Sequence, residues 1–248
     1  MKKSAIIILF LLLAACGKKG PLIPPEAGAP APVADLATCQ KGERFFVSWS
    51  APSHDEAGRA MTDLAGFRLY RREVLPTAED CEECPNAYRL LSTVDLDFVQ
   101  GVFIHNNRYY YLDDTVTTGV TYQYRVVTFR RDGSSSAPSK PIRRRRLAVP
   151  LAPTLELKET PTSILLSWSA PPVESGAALA GFNLYRREKA AGYFPPEPLA
   201  NLPATAASYE DLSLERGISY VYGLRLVTLN EGEQVESPLS PPREGLLP

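Results

Sequence analysis

The stretch Cys81-Glu82-Glu83-Cys84 carries the most chemistry in its spacing. Two thiols three positions apart can close a disulfide, exchange with another dithiol or supply half of a zinc site. A thioredoxin-type redox role needs a βαβ context, which the chain does not offer. Zinc would need further ligands from Cys39, His54 or His105, and their spacing supports none, so no metal ligand is assigned. No histidine follows Cys84, which excludes covalent haem attachment by pattern. Asp113-Asp114 is a pair of acids without a partner motif, and Gly-x-Ser-x-Gly and His-Glu-x-x-His are both absent. No catalytic residue is assigned, and the expectation is a protein that is not an enzyme.

A second cysteine speaks of location. Met1-Lys2-Lys3 leads into an apolar run from Ala5 to Leu13, followed by Ala14-Ala15-Cys16. A positive start, an apolar centre and small residues before the cut make up an export signal. The run is shorter than the roughly 20 residues of a membrane-spanning helix. Leu13-Ala14-Ala15-Cys16 resembles the bacterial lipobox, which implies cleavage before Cys16 and covalent lipid on its sulfur. That lipid is the one covalent group expected, with no other cofactor. Several acyl chains on one cysteine give durable anchoring where a single chain would not. Gly17, where aspartate would favour retention at the inner membrane, points to the outer membrane with the protein facing the periplasm. Exposure at the cell surface stays open.

Residues 17–34 read GKKGPLIPPEAGAPAPVA, a proline- and alanine-rich spacer with little to bury. Extended at about 3.1 Å per residue, it would reach some 50 Å from the bilayer. The stretch from Cys16 to Pro25 also resembles the N-terminal signature of small lipoproteins that assist maturation of the outer-membrane lipopolysaccharide translocon. It shares their cysteine, glycine, two variable residues, glycine, proline and leucine. Those proteins lack the large folded cargo of this chain.

The remainder repeats itself. Val47-Ser48-Trp49-Ser50-Ala51-Pro52 returns as Leu166-Ser167-Trp168-Ser169-Ala170-Pro171. Leu64-Ala65-Gly66-Phe67 returns as Leu179-Ala180-Gly181-Phe182, and Gly119-Val120-Thr121-Tyr122 as Gly217-Ile218-Ser219-Tyr220. Three matched blocks in one order signal a duplicated domain. Phe45, Val47 and Trp49 alternate with Phe46, Ser48 and Ser50, the period of a half-buried strand. The chain is expected to be all-β.

Each copy resembles the fibronectin type III domain, an immunoglobulin-like sandwich that needs no disulfide. Trp49 and Trp168 match its core tryptophan, and Tyr122 and Tyr220 its tyrosine corner. Asp113 and Asp211 match the aspartate that precedes the corner. The expected organisation is a signal peptide over 1–15, a lipidated N-terminus and linker over 16–34, and fibronectin-like domains over 35–148 and 149–248. Two prolines in Leu147–Pro153 are expected to stiffen the pair into a semi-rigid rod.

Between Glu73 and Tyr122 the first copy is longer than the second by about 17 residues, and insertions in sandwich loops are where function is grafted. Within it, Arg108, Tyr109, Tyr110 and Tyr111 form a candidate binding surface, since arginine and tyrosine dominate such surfaces. The alternative is an extra hairpin that packs on its own module. Apart from Cys16 the cysteines are odd in number for an oxidising compartment. Cys81–Cys84 is the expected pair, with Cys39 bonded to either of them as the alternative. Arg143-Arg144-Arg145-Arg146 is read either as an anion site or as a solvated edge strand protected by charge. Export and a net charge of −1 leave nucleic acid without support. The expected function is a membrane-anchored, non-catalytic scaffold lipoprotein holding an envelope protein. A translocon assembly factor and a glycan-binding tether are the alternatives; no small-molecule ligand is assigned.

Overall fold

Phe45, Val47 and Trp49 have no exposed surface, and their strand partners supply the rest of one core. That alternation builds the first of two sandwiches in the computed structural model, which describes residues 28–84 and 86–247. The first module contains β1 (Ala37–Lys41), β2 (Arg44–Ser50), β3 (Leu64–Glu73), β4 (Arg89–Asp95), β5 (Phe103–His105), β6 (Arg108–Asp113), β7 (Thr121–Arg130) and β8 (Ile142–Arg145). The second contains β9 (Thr154–Glu159), β10 (Ile164–Ser169), β11 (Ala177–Glu188), β12 (Ala200–Pro203), β13 (Ser208–Asp211), β14 (Ser219–Asn230), β15 (Glu233–Glu236) and β16 (Arg243–Leu246).

In the first module the order β1-β2-β6-β5 faces the order β4-β3-β7-β8. In the second, β9, β10 and β13 face β12-β11-β14, with β15 and β16 both paired to β14. This is the fibronectin type III sandwich, twice, and it is all-β. The tyrosine corners are formed: the Thr117 amide donates to Tyr122 Oη at 3.0 Å, and the Glu215 amide to Tyr220 Oη at 3.2 Å. Each core is the interleaving of its two inner faces. Phe67, Leu69, Tyr124 and Val126 meet β2 in the first; Phe182, Leu184, Tyr222 and Leu224 meet β10 in the second.

The last strand of each module is broken by prolines, so serine hydroxyls replace part of the ladder. Ser136 and Ser139 accept from the Thr128 and Val126 amides at 3.0 Å. Ser237 and Ser240 accept from Leu226 and Leu224 at 3.0 and 3.1 Å. Gly66, repeated as Gly181, is fixed by close approach. A Cβ there would lie 2.1 Å from Val94 O and 2.6 Å from the Phe129 ring. Gly66→Ala is expected to part β3 from β4 at a cost of about 1–3 kcal/mol, read from a denaturant melt.

Two expectations are corrected. Residues 28–34, read as spacer, belong to the first sandwich. Val33 is buried in its core, Ala31 N donates to His54 O at 3.2 Å, and Arg130 Nη1 donates to Gly28 O at 2.6 Å. Their proline content keeps them extended, and one apolar side chain anchors them. The modules are also not held as a rod by linker prolines. β1 of the first pairs in parallel with β15 of the second, so nine strands of both modules run as one sheet. The earlier readings on residues 1–27, including Cys16, lie outside the described residues.

Candidate functional site

Lys41, at the end of β1, reaches into the second module with its side chain nearly enclosed. Its ammonium donates to Tyr185 Oη and to Pro196 O, both at 2.6 Å, and lies 3.2 Å from Glu236 Oε1. Tyr185 passes the contact on, its hydroxyl donating to Glu236 Oε2 at 2.7 Å. Arg225 Nε stands 3.7 Å from the same carboxylate, and its Nη1 donates to Ser237 O at 2.6 Å. One carboxylate therefore serves two cations in a nearly dry seam. Burial, and next to it the Glu236 carboxylate, push the Tyr185 hydroxyl far above its ordinary range, so it acts as a neutral donor and acceptor.

The backbone closes the seam around these groups. The Gly42 amide donates to Glu236 O at 2.8 Å. The Gln40 carboxamide, wholly buried, donates to Leu147 O at 2.8 Å and accepts from Leu147 N at 3.0 Å. It holds the start of the inter-module segment against β1. On the far side Arg144 pairs with Glu233 at 2.9 Å and Arg145 with Glu231 at 3.2 Å. The arginine run thus clasps the turn between β14 and β15. Arg143 pairs with Glu82 and Arg146 donates to Leu147 O, so every arginine of the run has an intramolecular acceptor. That placement supports the reading in which the run protects a strand edge, and leaves no free basic stripe.

The insertion adds β5 against β6, the counterpart of β13, and the candidate surface on this hairpin is spent inside the molecule. Tyr109 stacks on Trp49 at 6.0 Å and tilts onto Phe67 at 4.8 Å, inside the first core. Tyr111 packs against the same core. Tyr110 is buried at the seam, stacked on Phe103 at 5.1 Å, its hydroxyl donating to Glu197 Oε1 at 3.1 Å. Burial, with the Glu197 charge beside it, pushes the Tyr110 hydroxyl up to about 12. Arg108 pairs with Asp35 at 2.6 Å and donates to Ser48 Oγ at 3.0 Å. Read as an outward binding patch, Arg108 and Tyr109–Tyr111 are corrected to packing groups: an alternating strand turns Tyr109 and Tyr111 into one face and Tyr110 into the other, and both faces are covered. Phe103 then meets Tyr193 of the second module at 5.9 Å.

Cys81 and Cys84 are joined by a disulfide with Cα atoms 5.4 Å apart, and Cys39 carries a free thiol that burial pushes above its usual range. The disulfide clips a loop whose acids hold the outer face of the first module. Asp80 and Glu82 lie 2.5 and 3.4 Å from Arg72, and Tyr88 Oη donates to Glu82 at 3.1 Å. Among the described residues no group of three or more metal-ligating side chains is gathered.

A further pair of sites was missed in the sequence. Arg71 lies 2.6 Å from Asp113, which also accepts from Tyr124 Oη at 2.7 Å and Thr115 Oγ1 at 2.8 Å. The second module repeats this with Arg186, Asp211, Tyr222 and Ser213. Burial would raise the Asp113 carboxyl, but hydrogen bonds from Tyr124, Arg71 and Thr115 outweigh it and hold it below the ordinary value. The signal was present: Tyr-Arg-Arg-Glu occurs in both repeats, with an arginine on the inward phase of each strand.

No protein-family model matches the chain. Exoglucanase B of Cellulomonas fimi is 26% identical over 211 residues, which is 82% of this chain. The chain spans only 16% of the length of that relative. Among solved structures, the FN1–FN3 domains of chicken CNTN1 are 15% identical, covering 88% of this chain and 68% of that one, with a TM-score of 0.36. A two-domain fibronectin type III segment of chicken tenascin is 13% identical, covering 86% and 97%, with a TM-score of 0.30. The strand order and the two tyrosine corners identify the fold independently of these likenesses.

Proposed function

We propose that this chain is a lipid-anchored, non-catalytic interaction lipoprotein of the bacterial envelope, held at Cys16 and presenting two sandwiches as a single scaffold to an envelope protein. The observation that carries the reading is the seam. Two fibronectin-like modules that share one sheet and a buried Lys41–Glu236–Tyr185 cluster offer a partner a fixed surface instead of two independently moving ones, and preorganisation lowers the ordering cost of binding. Leu13-Ala14-Ala15-Cys16 and Gly17 support an outer-membrane anchor facing the periplasm. The covalent lipid is the only prosthetic group in this reading, and neither nucleic acid nor a metal takes part.

The partner is sought by pull-down from envelope membranes with the anchored protein, quantitative mass spectrometry and a Cys16→Ser control. Because residues 28–34 are packed, the spacer deletion that separates the possibilities covers 17–27. Enrichment of one envelope complex that survives this deletion is the expected result. Recovery of translocon components alone, lost with the deletion, would replace it with the assembly-factor reading. The likeness to an exoglucanase favours a second reading, a glycan-binding tether, for which retention on peptidoglycan or lipopolysaccharide in the absence of any protein partner is the corresponding result.

A further inference from the structure

The duplication supplies an internal template for docking. The outer face of β11 and β14 receives the first module: Tyr185 is 2% exposed and Val227 5%. The equivalent face of the first module, on β3 and β7, receives no second module: Tyr88 and the disulfide loop cover its end at Arg72, Gln123 and Arg125, and the end at Arg68 and Phe129 is left open. Tyr70 faces Arg125 across β3 and β7 as Tyr185 faces Gly223 across β11 and β14. Arg68 faces Val127 as Asn183 faces Arg225. Here Tyr70, Val127 and Phe129 remain half-exposed, and Leu90 on the neighbouring edge strand is 52% exposed.

This face is basic. Arg68 lies over the Phe129 ring at 4.6 Å and makes one long bond to Ser135 Oγ, at 3.4 Å. Arg125 lies over the Tyr88 ring at 3.8 Å, and its Nε has no hydrogen-bond partner. No carboxylate pairs with either among the described residues.

The opposite end of the chain holds the complementary element. In the seam the docking edge is β1, backed by Phe46 of β2. Its counterpart in the second module is β9, which pairs only with β10. Leu165 stands opposite Lys158 as Phe46 stands opposite Cys39, and Ser167 opposite Glu156 as Ser48 opposite Ala37. Leu165 is 37% exposed, and on its side of the sheet stand the exposed carboxylates Glu156 on β9 and Glu210 on β13, with the Lys158 ammonium beside them. Thus one end of the chain has a partly open receiving face with two guanidiniums that no carboxylate neutralises among the described residues. The other has an edge strand that, among the described residues, pairs with no strand beyond β10 and is met from its own module by Arg243 on Leu155 O and Leu246 N on Glu159, with two carboxylates and Lys158 around an apolar residue.

We propose that a second copy of this chain docks head to tail, its β9–β10 edge on the β3–β7 face of the first. The contact repeats the intramolecular seam between copies, with Leu165 in the place of Phe46 and acid facing Arg68 and Arg125. Such a contact is heterologous: each copy keeps one free end, so association continues into short linear assemblies unless the rotation closes a ring.

The test is sedimentation velocity of the full chain in detergent over a concentration series, with Arg68→Glu and Glu156→Arg, each shown to be folded by an unchanged thermal melt. The expected result is concentration-dependent association that each single variant weakens by about tenfold or more, and that mixing the two variants restores as alternating assemblies. A chain that stays monomeric at every concentration overturns the proposal, as do variants that associate like the parent. A photocrosslinker at Leu90 that captures a different polypeptide in cells, and never a second copy, would also overturn it.

Discussion

Asp113→Ala is expected to lower the stability of the first module by about 3–5 kcal/mol, because it leaves the Arg71 guanidinium buried without its counter-charge. The side chains of Arg71 and Asp113 are 2% and 1% exposed, so water cannot take over the lost contact. Tyr124 loses its acceptor in the same step. A urea titration followed by Trp49 fluorescence in a Trp168→Phe background reads the effect. Asp211→Ala is expected to cost less in the second module, where Arg186 is 21% exposed and partly solvated. Equal losses in both modules would mean that burial of the cation does not set the cost.

The same carboxylate gives the acid limb of stability. Its folded value is depressed, so its contribution is complete above the ordinary aspartate value of about 3.9. It is lost as the pH falls below that value towards the depressed one. Asp211, Asp80 and Glu82 shift in the same direction and add to the slope. Asp113→Asn is expected to flatten the loss of stability below about pH 4. An unchanged acid limb would show that other carboxylates dominate it.

Glu236→Ala is expected to open the seam. Removing the carboxylate strands Lys41 and Arg225 in a nearly dry contact, at a cost of about 3–5 kcal/mol for the broken buried cluster. The parent chain should unfold in one calorimetric transition, since two modules joined by a shared sheet and an ionic cluster melt together. The variant should show two. Lys41→Met, which removes one cation and its contacts with the Phe46 and Tyr185 rings but leaves Glu236 paired with Arg225, should weaken the coupling less. A single unshifted transition in Glu236→Ala would mean the modules are held by strand pairing alone.

What the sequence revealed follows the range of each signal. Phe45, Val47 and Trp49 disclose their strand because alternation is local, and Tyr122 and Tyr220 disclose a corner because its geometry spans five residues. The seam has no such signature. Gln40 and Val235 are neighbours only because two folded modules meet, and no periodicity in either segment announces it. Tyr109, Tyr110 and Tyr111 left a binding surface and a packing hairpin both open for a related reason. Three identical residues carry no alternation of polarity, so their composition suggested a surface while the pleat turned them inward on both faces. Asp113 was read as a loop acid, because its partner Arg71 is distant in sequence and lies on another strand. Residues 28–34 looked like spacer by composition, and only Val33 betrays the packing.

The claim that the two sandwiches form one body is tested most directly by a pulsed electron–electron distance measurement. Spin labels at the exposed positions Thr118 and Leu212, with Cys39 replaced by serine, report one module against the other. The seam predicts one narrow distance distribution in the parent chain that broadens in Glu236→Ala. A broad distribution in the parent itself would contradict it, and with it the proposal that the pair acts as a single preorganised scaffold.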